Sequence, residues 1–137
     1  MAKKRKGIVK PQIEETKRIP RPVVNQSTIH EYPTISFQHL CDKNGQLHEL
    51  TKRDLKHLSN FLRRVSVMTW SQIRLSDGIK TKKIPITSLR YTLPNSVSEE
   101  EEILEMRVSQ EHRLWGFQNQ STFYVIWFDP NHSVCPV

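Results

Sequence analysis

One stretch constrains the fold more than any other: Thr122–Phe128, which reads TFYVIWF. Seven consecutive residues of β-branched and aromatic character, none of them charged, form the pattern of a central strand covered on both faces. The polar connector Asn119–Ser121 separates it from Arg113–Phe117, so the two segments read as a hairpin. Asp129-Pro130-Asn131-His132 ends the strand, and Ser133–Val137 can resume as a short edge piece. Upstream, Ile103–Val108 and Arg113–Phe117 read together as one long strand-like segment.

The remaining elements are read outward from that hairpin. Thr34–Leu40 alternates, with Ile35 and Phe37 on one face, which predicts a half-buried strand. Asp42-Lys43-Asn44-Gly45 is a turn signal, after which Gln46–Leu50 can pair back. Thr51 is a helix cap with Asp54 three residues on, and Leu55, Leu58, Leu62 and Val65 then step at helical spacing. Lys52, Arg53, Lys56, Arg63 and Arg64 fall on the outer face. A kink near Ser66 leads into a continuation through Trp70, Ile73 and Leu75, which Asp77-Gly78 ends. Ile84-Pro85-Ile86 reads as an extended or edge segment, and Tyr91–Ser98 as a polar connector. Glu99–Glu102 is either a short acidic helix start or a solvated loop. The expected fold class is α+β: a strand, one or two helices, then a three-stranded antiparallel sheet packed on the helical layer.

Charge divides the chain. Residues 1–30 carry a net +6, residues 31–98 another +6, and residues 99–137 a net −5, within a total of +7 over 137 residues. Residues 1–31 hold Lys3, Lys4, Arg5, Lys6 and Lys10 together with Pro11, Pro20 and Pro22, and read as a basic disordered arm. Residues 32–137 are the single expected domain. No apolar run is long enough to span a bilayer, and the N-terminus lacks the apolar stretch of a signal peptide. Cys41 and Cys135 show no paired spacing, which suits a cytoplasmic protein. The ionic class that remains favoured is an anionic partner, nucleic acid above all.

No P-loop, dinucleotide fingerprint, HExxH or CxxC motif is present, and the histidines have no repeated ligand spacing; neither a metal nor a cofactor is expected. One constellation carries chemistry. Arg107, His112 and Arg113 lead into the hairpin, Asp129 and His132 follow at its far end, and folding the hairpin returns His132 towards Arg107 and His112, which sets a pair of histidines and two arginines on one sheet face. Histidine moves protons near neutral pH, and fixed guanidinium charge stabilises a phosphorane-like transition state. These are the requirements of RNA cleavage by 2′-hydroxyl attack. The alternative for the same residues pairs Arg107 and Arg113 with Glu105 or Glu111 and has His132 closing a turn. A second constellation is cationic: Arg63, Arg64, Arg74, Lys80, Lys82 and Lys83 have the density of a phosphate-tracking surface. Trp70 and Trp115 would stack on bases if exposed, or else belong to the core.

The order of elements, the size, and the closing pattern HRLWGF…TFYVIWFDPNH over residues 112–132 resemble the RelE/ParE superfamily of toxin–antitoxin ribonucleases. The chain also resembles a group of small prokaryotic proteins with a Tyr-Pro strand start, here Tyr32-Pro33, and a helix ending in a Thr-Trp pair, here Thr69-Trp70. The resemblance spans roughly residues 32–136. It implies a toxin-type, metal-independent mRNA endoribonuclease that works on RNA at the ribosome, with an antitoxin protein as a further partner. Arg113 would stabilise the phosphate and His132 act as general acid or base, while Arg107 and the lysines near 80–83 grip RNA. The reading from a different class is a non-enzymatic accessory protein of a mobile element that binds nucleic acid or protein.

Overall fold

The computed structural model describes residues 28–136. The TFYVIWF run forms β5 (Thr122–Asp129) and is paired on both sides. The five-stranded sheet has the order β1-β5-β4-β3-β2, where β1 is Thr34–Ser36, β2 Lys82–Ile84, β3 Ile103–Arg107 and β4 Arg113–Asn119. β5 runs antiparallel to β4, β4 to β3, and β3 to β2, whereas β1 lies parallel to β5 with Thr34 opposite Thr122. Two helices follow β1 in the chain, α1 (Lys52–Val65) and α2 (Trp70–Leu75).

The structure is a mixed sheet with helices, and it corrects the expected three-stranded antiparallel sheet in three places. The single long segment of residues 103–117 is two strands, because Val108 and Ser109 both donate to the His112 carbonyl and close a tight turn. Lys82–Ile84 is a true edge strand whose extension is stopped by Pro85. The β1 strand joins the sheet in parallel, a pairing that local sequence pattern cannot announce. Smaller differences follow the same logic. β1 is only three residues long, Leu47–Glu49 is a 3₁₀ turn, and Glu99–Glu102 is loop. α2 ends at Leu75 without a left-handed glycine, since Ser76 is extended.

Both helices start as their sequences dictate. The Thr51 hydroxyl accepts from the Asp54 amide while the Asp54 carboxylate accepts from the Thr51 amide, and Thr69 and Gln72 repeat the reciprocal cap on α2. The expected arm falls outside the described residues except for its last four. There the carbonyls of Ile29 and Glu31 accept from the amides of Ser71 and Trp70, so Thr28–Glu31 is tied to the start of α2.

The sheet is covered on both faces, which is why β5 carries no charged residue until its end. Leu58, Phe61, Val65, Trp70 and Ile73 from the helices pack on Leu104, Met106, Leu114, Phe123, Val125 and Phe128. On the opposite face Ile103, Trp115, Phe117, Ile126 and Trp127 are covered by Val97 and Val134, with Ile86, Leu89 and Tyr91 around them. A bulge sits where Trp115 pairs with Trp127 but Gly116 pairs with Val125. It turns Ile126 and Trp127 to the same face and leaves the Ile126 carbonyl for the Cys41 amide. Gly116 meets the Tyr124 carbonyl so closely that no side chain fits. Gly45, at φ +62°, lays its backbone against Trp127 and accepts from the Phe128 amide, so the predicted turn docks onto β5.

Candidate functional site

The register of β3, β4 and β5 builds the site before any side chain is considered. Cross-strand partners share a face, and two adjacent rows emerge: Lys82, Glu105, Trp115 and Trp127 in one, and Arg107, Arg113 and Asp129 in the other. Two arginines directly opposite one another are destabilising unless something offsets the repulsion. Glu105 lies on the same face one step along β3 and approaches Arg113 Nε at 3.6 Å. Arg113 Nη1 donates to the carbonyls of Ser109, Gln110 and His112, so the guanidinium also closes the β3–β4 turn. Burial works against the charge of Arg113 and so does Arg107, while Glu105 and Asp129 support it.

His132 completes the cluster from the chain following β5. It adopts a left-handed backbone at φ 57°, and its Nε2 lies 2.7 Å from Glu105 Oε2. Asp129 holds that return in place. Its carboxylate accepts from the Trp115 indole at 3.0 Å and from the amides of Ser133 and Val134 at 2.7 and 3.0 Å. The carboxylate is almost completely buried, and its three donors satisfy it. The His132 ring is partly exposed, so the face of the cluster that meets solvent is a histidine backed by a buried glutamate and flanked by arginine.

The structure thus brings Arg107, Arg113 and His132 together and adds Glu105 and Lys82. It does not bring His112 to them. His112 belongs with Leu114 on the helical side of the sheet, because neighbouring residues of a strand face opposite ways. It is 1% exposed, and neither ring nitrogen has a partner. Burial lowers its pKa, and among the charges that reach it are Asp54 and His57 of α1. The expectation of two histidines on one face is therefore corrected to one histidine and one glutamate. From sequence alone Glu105 is only an ion-pair partner for the arginines. The signal that finds it is an ionisable residue in the apolar strand ILEMR, two residues before Arg107 and on the same side.

The cationic residues do not form one patch. Arg63 and Arg64 are exposed on α1, and Arg74 on α2 donates to Gln118 while its guanidinium lies 6.0 Å from the Trp70 ring. Lys82 faces the Glu105 side of the sheet. Lys83 faces the other and pairs with Glu102 at 3.3 Å. Lys80 is exposed and sits just before β2, at φ 50°. Trp70 and Trp115 are 1% and 0% exposed, which makes them core residues and removes them as base-stacking platforms. Among the described residues no three His, Cys, Asp or Glu side chains are grouped to hold a metal ion, and no helix is long and apolar enough to cross a membrane. No protein-family model matches the chain, and no curated protein or solved structure is significantly similar to it.

Proposed function

We propose that the protein is a RelE-like, toxin-type endoribonuclease that cleaves mRNA at the ribosome without a metal and is held in check by a protein antitoxin. The observation that carries this reading is the 2.7 Å contact between His132 Nε2 and Glu105 Oε2, beside the opposed pair Arg107 and Arg113. With Glu105 Oε2 accepting from Nε2–H, the tautomer leaves the Nδ1 lone pair free to take a proton. In RNA the nucleophile is the substrate's own 2′-hydroxyl, so the site need supply only proton transfer and charge stabilisation. His132 Nδ1 accepts the 2′-hydroxyl proton as that oxygen attacks phosphorus. Arg107 and Arg113 offset the charge on the non-bridging oxygens, and the 5′ oxygen leaves with a proton from water. Lys80 and Lys82 lie on strand β2 or just before it and extend the positive field beside Arg107.

A second reading has an observation of its own. Arg113 is buried, with its Nε facing Glu105 and its Nη1 donating to three backbone carbonyls. That favours a non-enzymatic accessory protein in which the cluster holds the sheet end together and exposed lysines and arginines bind nucleic acid. Induced expression in a bacterial host separates the two. The enzyme reading expects growth arrest by the wild-type chain and relief by His132→Asn at equal protein level and unchanged melting temperature. Asparagine suits the left-handed backbone at this position, so loss of function would not reflect misfolding. Full toxicity of the variant would sink the site, and absence of toxicity in the wild type would favour the binding protein.

A further inference from the structure

Away from the site, a cavity of about 410 Å³ opens between α1 and the edge strand β1. Its walls include Ile35, Phe37, Leu47, Leu58, Leu62 and Val125, and among the described lining residues Ser66 alone is polar. A second concavity adjoins it through Leu47 and is lined by Leu40, Leu50 and Leu55 together with Gln46 and His48. Most of the described large apolar side chains left in solvent gather along this one line. Phe37 is 58% exposed, Leu47 49%, Leu55 43%, Leu40 40% and Leu62 36%. Single exposed apolar residues are ordinary, but a contiguous row leading into a formed groove is the mark of an interaction surface.

On the α1 side of the groove the exposed charges are of one sign. On α1, Leu55, Leu58, Leu62 and Val65 form the groove-side stripe, and the next row outward carries Lys52, Ser59 and Arg63, with Lys56 beyond it. All three cations are exposed, and none is in an ion pair among the described residues. The nearest acid of the helix, Asp54, is occupied by the reciprocal cap with Thr51. The opposite wall, formed by Pro33, Ile35 and Phe37, carries no charge. β1 is only three residues long, too short to register an added strand, so recognition would rest on side chains rather than on backbone pairing.

We infer that this groove is the docking site for an acidic amphipathic helix of a partner protein. Large apolar side chains at i, i+3, i+4 and i+7 fill the groove, and Asp or Glu on the flank meets Lys52, Lys56 and Arg63. The inference rests on no part of the ribonuclease reading. A second copy of the chain would bring the same basic row against the same surface, and the like-charge repulsion disfavours that occupant.

The test uses the full chain and two fluorescent synthetic peptides with leucine at those four spacings, one with glutamate and one with lysine at the flanking positions. The glutamate peptide should bind the wild type about tenfold or more tighter than the lysine peptide, with affinity falling as salt rises. Leu62→Glu and Phe37→Ala should each weaken glutamate-peptide binding about tenfold. Both sites are exposed, so melting temperature should stay unchanged. Lys52→Glu combined with Arg63→Glu should reverse the preference between peptides. Equal affinity for both peptides, or binding indifferent to Leu62→Glu and Phe37→Ala, would overturn the inference. So would a wild-type dimer in sedimentation that Leu62→Glu dissociates, because the face would then belong to self-association.

Discussion

Acid should destabilise the protein through His112, and the size of the effect can be bounded from its surroundings. The ring is 1% exposed and has no hydrogen-bond partner on either nitrogen. Burial lowers its pKa below the ordinary value of 6.5, with Asp54 and Asp129 opposing the shift and His57 and Arg113 adding to it. The folded state therefore refuses a proton that the unfolded chain accepts. Stability is fully present above the unfolded value and is lost as the pH falls through it towards the lower folded value. The slope cannot exceed about 1.4 kcal/mol per pH unit, so the loss between about pH 6.5 and about pH 5.5 is at most about 1 kcal/mol. Urea unfolding of the wild type and of His112→Leu at several pH values isolates this contribution, because the other histidines are common to both. Leucine also removes two unsatisfied nitrogens, worth about 1–3 kcal/mol, so the variant should be the more stable at every pH, with the gap widening in acid. A gap that narrows as the pH falls would refute the reasoning, since it would mean that the folded state holds the imidazolium better than water does.

Two further perturbations test the frame around the site. Asp129→Ala strips an acceptor from the Trp115 indole and from two backbone amides and should cost about 3–5 kcal/mol in urea unfolding; a loss under about 1 kcal/mol would contradict the anchoring role. Gly116→Ala drives a methyl group into the Tyr124 carbonyl and to 2.9 Å from Phe123 Cζ, and should cost about 3 kcal/mol or more, whereas a melting temperature like that of the wild type would mean that the β4–β5 bulge relaxes freely.

Local chemistry was legible in this chain and long-range pairing was not. Thr51 with Asp54, the leucine stripe of α1 and the TFYVIWF strand each carry their cause within a few residues, and each forms where it is expected. The partner of β1 is 88 residues away at Thr122, and no periodicity in Thr34–Leu40 reports that distance or the parallel direction. At the site, the hairpin alone predicts that His132 returns towards Arg107 and Arg113. His112 departs from that face because, one residue before Arg113, alternation sets it with Leu114 on the side of α1. Glu105 was hidden by its company: an acid between Leu104 and Met106 gives little hint that it lies beneath a histidine supplied by a turn after the last strand. Opposed arginines on paired strands are a local conflict that folding alone does not favour, and such conflicts concentrate where function is served.

In the proposed reaction His132, backed by Glu105 and flanked by Arg107 and Arg113, takes the proton of the RNA's own attacking 2′-hydroxyl. The most direct test is to incubate the purified protein with ribosome-bound mRNA and identify the ends produced. The products should carry 2′,3′-cyclic phosphate termini, and the rate should be about a hundredfold or more lower for His132→Asn at unchanged melting temperature. No cleavage should occur where the attacking 2′-hydroxyl is replaced by hydrogen. Cleavage by His132→Asn within a few-fold of the wild-type rate, or products ending in a 3′-hydroxyl, would contradict this reaction.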